Sequence, residues 1–216
     1  MDVPSPKPKP TLVLLVRHGK TPTTGDELPG RTPGLHLAEK GQLQAQAAAD
    51  RIAELGSKVT AVYASPLERT RETAAPIAKA LGLRVRSNKG LIELNVGDWT
   101  GRRLKDLAKL PEWKTVQKYP SGFTFPGGES FTAMNARIND TVAGLAAAHA
   151  GEAIVCVSHA DPIRALVASA MGTHLDLFQR VVVSPCSISA LLYTTEGPVV
   201  LAVNSISGPL TELAPA

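Results

Sequence analysis

Two runs of consecutive apolar residues, Leu12-Val13-Leu14-Leu15-Val16 and Ala153-Ile154-Val155-Cys156-Val157, constrain the fold more than any other feature of this chain. A strand with one face in water alternates apolar and polar residues, whereas an unbroken short run belongs to a strand covered on both faces. Both runs therefore predict central strands with helices packed above and below. Val59-Thr60-Ala61-Val62-Tyr63-Ala64 adds a further strand, Leu83 to Arg86 a short one, and Ser187–Tyr193 and Val199–Val203 two more near the C-terminus. Helical spacing fills the intervals. Ala45, Ala48, Ile52 and Leu55 share one face of a helix predicted over Ala38–Leu55, a second helix runs from Pro66 to Ala80, and Phe131, Met134, Ile138 and Leu145 mark a third. A fourth starts at Pro162. Strands alternating with helices predict an α/β fold, a three-layer α/β/α sandwich with a mostly parallel central sheet.

The 216 residues suffice for one substantial core. Residues 1–10, with Pro4, Pro6, Pro8, Pro10, Lys7 and Lys9, read as a flexible extended tail without the apolar segment of a signal peptide. Residues 11–216 read as a single domain, with a small cap around 97–128 where two Trp and several Pro and Gly interrupt the alternation. No apolar stretch is long enough to cross a bilayer. A net charge of +4, from 23 basic and 19 acidic residues, favours small anions but lacks the clustered basic face and interleaved aromatics of a nucleic-acid surface. Cys156 falls in a buried strand and Cys186 follows Pro185, so the reading is two reduced thiols and a cytoplasmic protein rather than a disulfide framework. A homodimer is compatible with this composition.

Chemistry collects where the strands end. In open α/β sheets ligands bind beyond the carboxyl ends of the strands. The first apolar run ends in Arg17-His18-Gly19, where Gly19 lets the backbone turn, and the second ends in Ser158-His159. The strand closing at Ala64 leads into Ser65-Pro66-Leu67-Glu68-Arg69, which reads as an N-cap, a first helical proline and a capping-box glutamate, placing Arg69 in the first turn. Glu93, in Leu91-Ile92-Glu93-Leu94, adds a carboxylate. Arginine beside histidine points to phosphate chemistry, because guanidinium forks fit phosphoryl oxygens and neutral imidazole, with a pKa of about 6.5, can attack phosphorus.

These elements, taken in order with Thr70-Arg71-Glu72-Thr73-Ala74, Gly97-Asp98-Trp99-Thr100-Gly101 and Pro126-Gly127-Gly128-Glu129-Ser130, make the chain resemble the histidine phosphatase superfamily, which also contains the cofactor-dependent phosphoglycerate mutases. The resemblance spans about Leu12 to Val203. It implies that His18 is the nucleophile, that Arg17, Arg69 and a preferably protonated His159 hold the phosphoryl oxygens, and that Glu93 is the general acid. Backbone N–H groups opening the helix after His159 add donors. Thr21 and Thr24 complete the expected substrate contacts, although many relatives carry Asn at the position of Thr24.

The implied activity is a metal-independent, cofactor-free phosphomonoester hydrolase acting on a small phosphorylated metabolite through phosphohistidine. A phosphoglycerate-type mutase is the alternative, disfavoured because Trp99–Phe125 is shorter than the insertion with which a mutase shields its intermediate. A phosphate-ester-binding protein without turnover would need no acid at Glu93. A metal site built from His18, His159 and Glu93 is opposed by the flanking arginines. Asp161 rivals Glu93 as the acid but reads as the N-cap of the helix entered at Pro162. Glu129 reads as favouring a helix N-terminus, His36, His149 and His174 as surface or loop residues, and Trp99 and Trp113 as packing.

Overall fold

The computed structural model describes residues 9–211; residues 1–8 of the proline-lysine stretch lie outside them. Six strands form one sheet: β1 (Thr11–Arg17), β2 (Val59–Ala64), β3 (Val85–Ser87), β4 (Ala153–Ser158), β5 (Ile188–Thr194) and β6 (Gly197–Ser205). Their order is β3-β2-β4-β1-β5-β6. The first four are mutually parallel, while β5 and β6 run antiparallel at one side. The two unbroken apolar runs are the adjacent central strands β1 and β4.

Period-two geometry explains why those runs carry no polar residue. Leu12, Leu14 and Val16 project into one core with Ala49 and Ile52 of α1 (Glu39–Ala53) and Ala74 and Ile77 of α2 (Glu68–Ala80). Val13 and Leu15 project into the other, with Met134 and Ile138 of α5 (Phe131–Ala148) and Ile163 and Leu166 of α6 (Ala160–Ala170). Water touches neither face, so the architecture is the three-layer sandwich expected.

Between Gly97 and Gly128 lie two 3-10 turns and two short helices, α3 (Leu104–Leu107) and α4 (Trp113–Lys118). Trp99, only 4% exposed, stacks on Trp113 with centroids 6.2 Å apart and meets Phe125 edge-on at 5.3 Å, so Trp99 is a packing residue as expected. Backbone bonds fasten this cap to the loop after β1: Leu28 N–H donates to Arg102, Gly101 N–H to Leu28 and Leu104 N–H to Asp26, all within 2.8–2.9 Å.

Several boundaries differ from the expectation. Helix α2 begins at Glu68 with Leu67 as its N-cap, so Ser65 is not a cap and Pro66 precedes the helix. Ser65 Oγ lies 3.4 Å from Leu67 N but 2.8 Å from His159 Nε2; a partner distant in sequence has taken the hydroxyl from the local turn. Helix α6 begins at Ala160 with His159 as N-cap. Asp161 is therefore inside the first turn rather than capping it, where its charge still suits the helix dipole, and Pro162 is tolerated because N–H groups of that turn have no intrahelical acceptor. In α5 the buried stripe continues through Val142 and Ala146, leaving Leu145 partly buried.

Candidate active site

The register of β1 on β4 builds the centre of the site. Arg17 pairs with Ser158, so the residues that follow, His18 and His159, leave adjacent strands side by side, with ring centroids 5.2 Å apart. Ser65 leaves β2 on the far side of β4, its N–H bonded to Val157 O at 3.0 Å. One layer of backbone thus delivers His18, His159, Ser65 and, a turn later, Arg69.

His18 Nδ1 lies 2.8 Å from Gly19 O and donates to it, which fixes the tautomer and leaves the Nε2 lone pair free in the imidazole that lines the cavity. Burial, then the charges of Arg69 and Arg17, push its pKa down to about 3, so the ring is neutral at physiological pH. Gly19 is not in the left-handed region. It is required because a Cβ there would sit 2.5 Å from Gly41 O of α1, and a Cβ on Gly41 would sit 2.1 Å from Lys20 O.

Arg69 is fully buried, with Nη2 donating to Gly30 O at 2.8 Å, while its Nε and Nη1 lack partners among the described residues. Arg17 Nη1 donates to Val183 O at 2.7 Å and its buried Nε is likewise unpartnered. Orphaned guanidinium donors cost stability, on the order of 1–3 kcal/mol each, and their clustering beside His18 equips the site for an anion with several acceptor oxygens. His159, also fully buried, bonds Ser65 through Nε2, while Nδ1 lies 4.0 Å from Glu93 Oε2. Burial, Arg69, His18 and Arg17 hold its pKa well below that of a free histidine, so His159 is neutral here rather than protonated. A phosphoryl dianion would act in the opposite direction.

Glu93 is largely buried, its side chain 14% exposed. Burial first, and then the neighbouring Asp161 carboxylate, raise its pKa to about 7 against the opposing bond from Leu94 N–H and the charges of Arg69 and Arg17. Such a carboxyl gives and takes a proton near neutrality. Asp161 pairs with Arg164 Nη1 at 3.1 Å. Thr21 and Thr24 hydroxyls are 2.8 Å apart, and Thr21 N–H donates to Thr24 Oγ1 at 2.8 Å, so both stand at the cavity wall as one hydrogen-bonded pair. The cavity measures about 430 Å³ and also takes Trp113 and Gln117 from the cap; Trp113 is thus a wall residue as well as a packing one.

Sequence reasoning missed the frame that holds Glu93. Glu129 Oε1 accepts from Asn95 N–H at 3.0 Å, Arg31 Nη2 at 2.9 Å and Arg137 Nη2 at 2.6 Å. Arg31 Nε reaches Glu93 O, and Arg137 Nη1 reaches Gly90 O and Ile92 O, each at 2.8 Å. Glu129 therefore organises two arginines around the segment bearing Glu93 instead of merely favouring a helix start; only its place in the Pro126–Ser130 motif signalled it. His36 and His174 are exposed and paired with Glu72 and Asp176, as a surface reading expects, but His149 is largely buried against Tyr63 and Glu152. Cys156 and Cys186 are free and buried, and burial pushes each thiol up to about 12.

A family model described as histidine phosphatase superfamily (branch 1) matches residues 13–206. The chain is 29% identical over 197 residues to phosphoserine phosphatase 1 of Hydrogenobacter thermophilus, covering 89% of this chain and 91% of that protein. It is 33% identical over 180 residues to a probable phosphoglycerate mutase of Erwinia tasmaniensis, covering 82% of each. Its fold is similar to that of the mycobacterial glucosyl-3-phosphoglycerate phosphatase, with a TM-score of 0.81 at 24% identity over 91% of this chain and 100% of that one.

Proposed function

This chain belongs to the histidine phosphatase superfamily, and from that membership we propose that it hydrolyses small phosphomonoesters through a phosphohistidine on His18, without a metal ion. The observation that carries the reading is the pairing of a neutral, tautomer-fixed His18 with a carboxyl group, Glu93, whose pKa is about 7. In the first half-reaction His18 Nε2 bonds to phosphorus, the bond from phosphorus to the ester oxygen breaks, and Glu93 gives its proton to the departing alkoxide. In the second, Glu93 takes a proton from the attacking water, the phosphorus–nitrogen bond breaks, and phosphate and neutral His18 are released.

Arg17, Arg69 and the hydroxyls of Thr21 and Thr24 bind the phosphoryl oxygens throughout, and negative charge arriving between the histidines favours protonation of His159, which then donates as well. Ser65 orients His159. Fixed guanidinium groups supply the charge stabilisation that a dication supplies elsewhere, and they would repel one here. Residues 11–216 act as one domain with the 97–128 segment as its cap, in the cytoplasm. No helix among the described residues is long and apolar enough to cross a membrane.

The likeness to a probable phosphoglycerate mutase favours a second reading, phosphoryl transfer back to a substrate hydroxyl. The short cap argues for water as the acceptor. Incubation with an aryl phosphate and rapid acid-free quenching should give a phosphoprotein stable to alkali and labile to acid, absent from His18→Ala, with steady phosphate release afterwards. Undiminished turnover by His18→Ala would overturn the assignment, and phosphoryl transfer to added phosphoglycerate in preference to water would select the mutase.

A further inference from the structure

The orphaned guanidinium donors that mark the phosphoryl clamp recur once more along the same cavity. Arg164 of α6 lines its wall together with Arg17, Asp161 and Glu27. Its Nη1 donates to Asp161 Oδ1 at 3.1 Å, the one bond its guanidinium makes among the described residues. Nη2 is without a partner among them, and Nε is buried without an acceptor, as are Nε of Arg17 and both Nε and Nη1 of Arg69. Arg137 Nε shares that condition, but Arg137 belongs to the frame around the Glu93 segment and does not line the cavity.

Nε and Nη2 form the side edge of a guanidinium, two parallel N–H groups spaced to match the two oxygens of a carboxylate. Nη1 points away from that edge, so Asp161 occupies the opposite side and leaves the edge open. Arg17 feels the same cation: burial first, and then the charge of Arg164, hold its pKa below the ordinary arginine value. An anion lodged on Arg164 would therefore relieve Arg17 as well. Asp161 and Glu27 limit how much charge that anion can carry, since a second phosphate would bring two negative charges to a wall with one open guanidinium edge. We infer that Arg164 selects the leaving group, its Nε–Nη2 edge receiving a carboxylate on the alcohol being released, so that the substrate is the phosphate ester of a hydroxy acid. This rests on the phosphatase reading and narrows it.

Glycerol 3-phosphate and 3-phosphoglycerate form a matched pair, differing by a hydroxymethyl group against a carboxylate. Calorimetric titration of the His18→Ala protein, which cannot form the phosphohistidine, reads the affinity for each without turnover. 3-Phosphoglycerate should bind at least about tenfold more tightly. Arg164→Lys, added to His18→Ala, keeps a positive charge beside Asp161 and removes the paired edge, so it should shrink that ratio by about tenfold while glycerol 3-phosphate binds as before. Equal binding of the two ligands, an unchanged ratio in the Arg164→Lys protein, or equal weakening of both ligands by it overturns the inference. So does tighter binding of glycerol 1,3-bisphosphate than of 3-phosphoglycerate, which would assign the edge to a second phosphate. None of these outcomes touches the phosphatase reading, which falls separately, and the inference with it, if the wild-type protein fails to hydrolyse 4-nitrophenyl phosphate.

Discussion

His18 is neutral because a proton on it would share a buried site with two guanidinium groups, and Glu93 is half protonated near pH 7 because its anion would be buried beside Asp161. The two residues therefore set different edges of a pH profile. With Glu93 as the general acid proposed above, an alkyl phosphate requires its protonated form, so kcat/KM should fall as pH rises through about 7, with no loss near pH 6.5 attributable to His18. Glu93→Gln should lower alkyl phosphate turnover by roughly a hundredfold to ten-thousandfold and activated aryl phosphate turnover much less. Asp161→Asn removes a neighbouring negative charge, so it should move the alkaline limb to lower pH without changing which esters need the acid. If leaving-group sensitivity followed Asp161 instead, the acid would be Asp161 and Glu93 a positioning residue. At this scale the sequence revealed what hung on strand ends: Arg17, His18 and His159 stand where unbroken apolar runs stop. Ser65 and Asp161 were misread as caps because local turn chemistry competes with partners 94 residues away in one case and with a helix starting earlier in the other.

Beyond the register of β1 on β4, the site depends on backbones that approach without side chains between them. Gly19 and Gly41 make that contact between the end of β1 and the start of α1. A methyl group at position 41 would lie 2.1 Å from Lys20 O, and the obstacle is backbone rather than a flexible side-chain tip. Gly41→Ala should therefore cost on the order of 1–3 kcal/mol, as overpacking does, and displace the His18 segment; a lower denaturation midpoint together with reduced aryl phosphate turnover would be the joint signature. Glu129→Gln should act through the Asn95–Arg31–Arg137 frame, depressing kcat for alkyl esters more than for aryl esters because Glu93 is the residue whose backbone is released. The elements themselves were legible, since periods of two and about 3.6 are written in the apolar positions, and their ends moved by one to three residues where caps were misassigned. The Glu129 frame was not, because its contacts to Arg31 span 98 positions and no periodicity records them.

Across the whole molecule the site is a place where the fold stores unfavourable electrostatics. Glu93 has a pKa near 4.5 when solvated and about 7 in the folded chain. Below pH 4.5 the shift contributes nothing, since both states hold the proton; above pH 7 the folded state carries an ionised, largely buried carboxylate and is destabilised by up to about 3 kcal/mol. His18 acts at the other edge: its folded pKa of about 3 lies below the solvated 6.5, so as pH falls under 6.5 the unfolded chain takes up protons that the folded one refuses, and stability declines. His159 works in the same direction. The folded state is thus pressed from both sides, and relief of one pressure should be measurable separately from the other. Glu93→Gln keeps the shape and removes the ionisation, so its melting temperature should exceed that of the wild-type protein by several degrees at pH 8 and match it near pH 4.5, even as its alkyl phosphatase activity is lost. A gap that stayed constant across that range would mean that the carboxylate of Glu93 is better solvated or paired than its burial implies, and that its readiness to act as an acid near neutrality has another source.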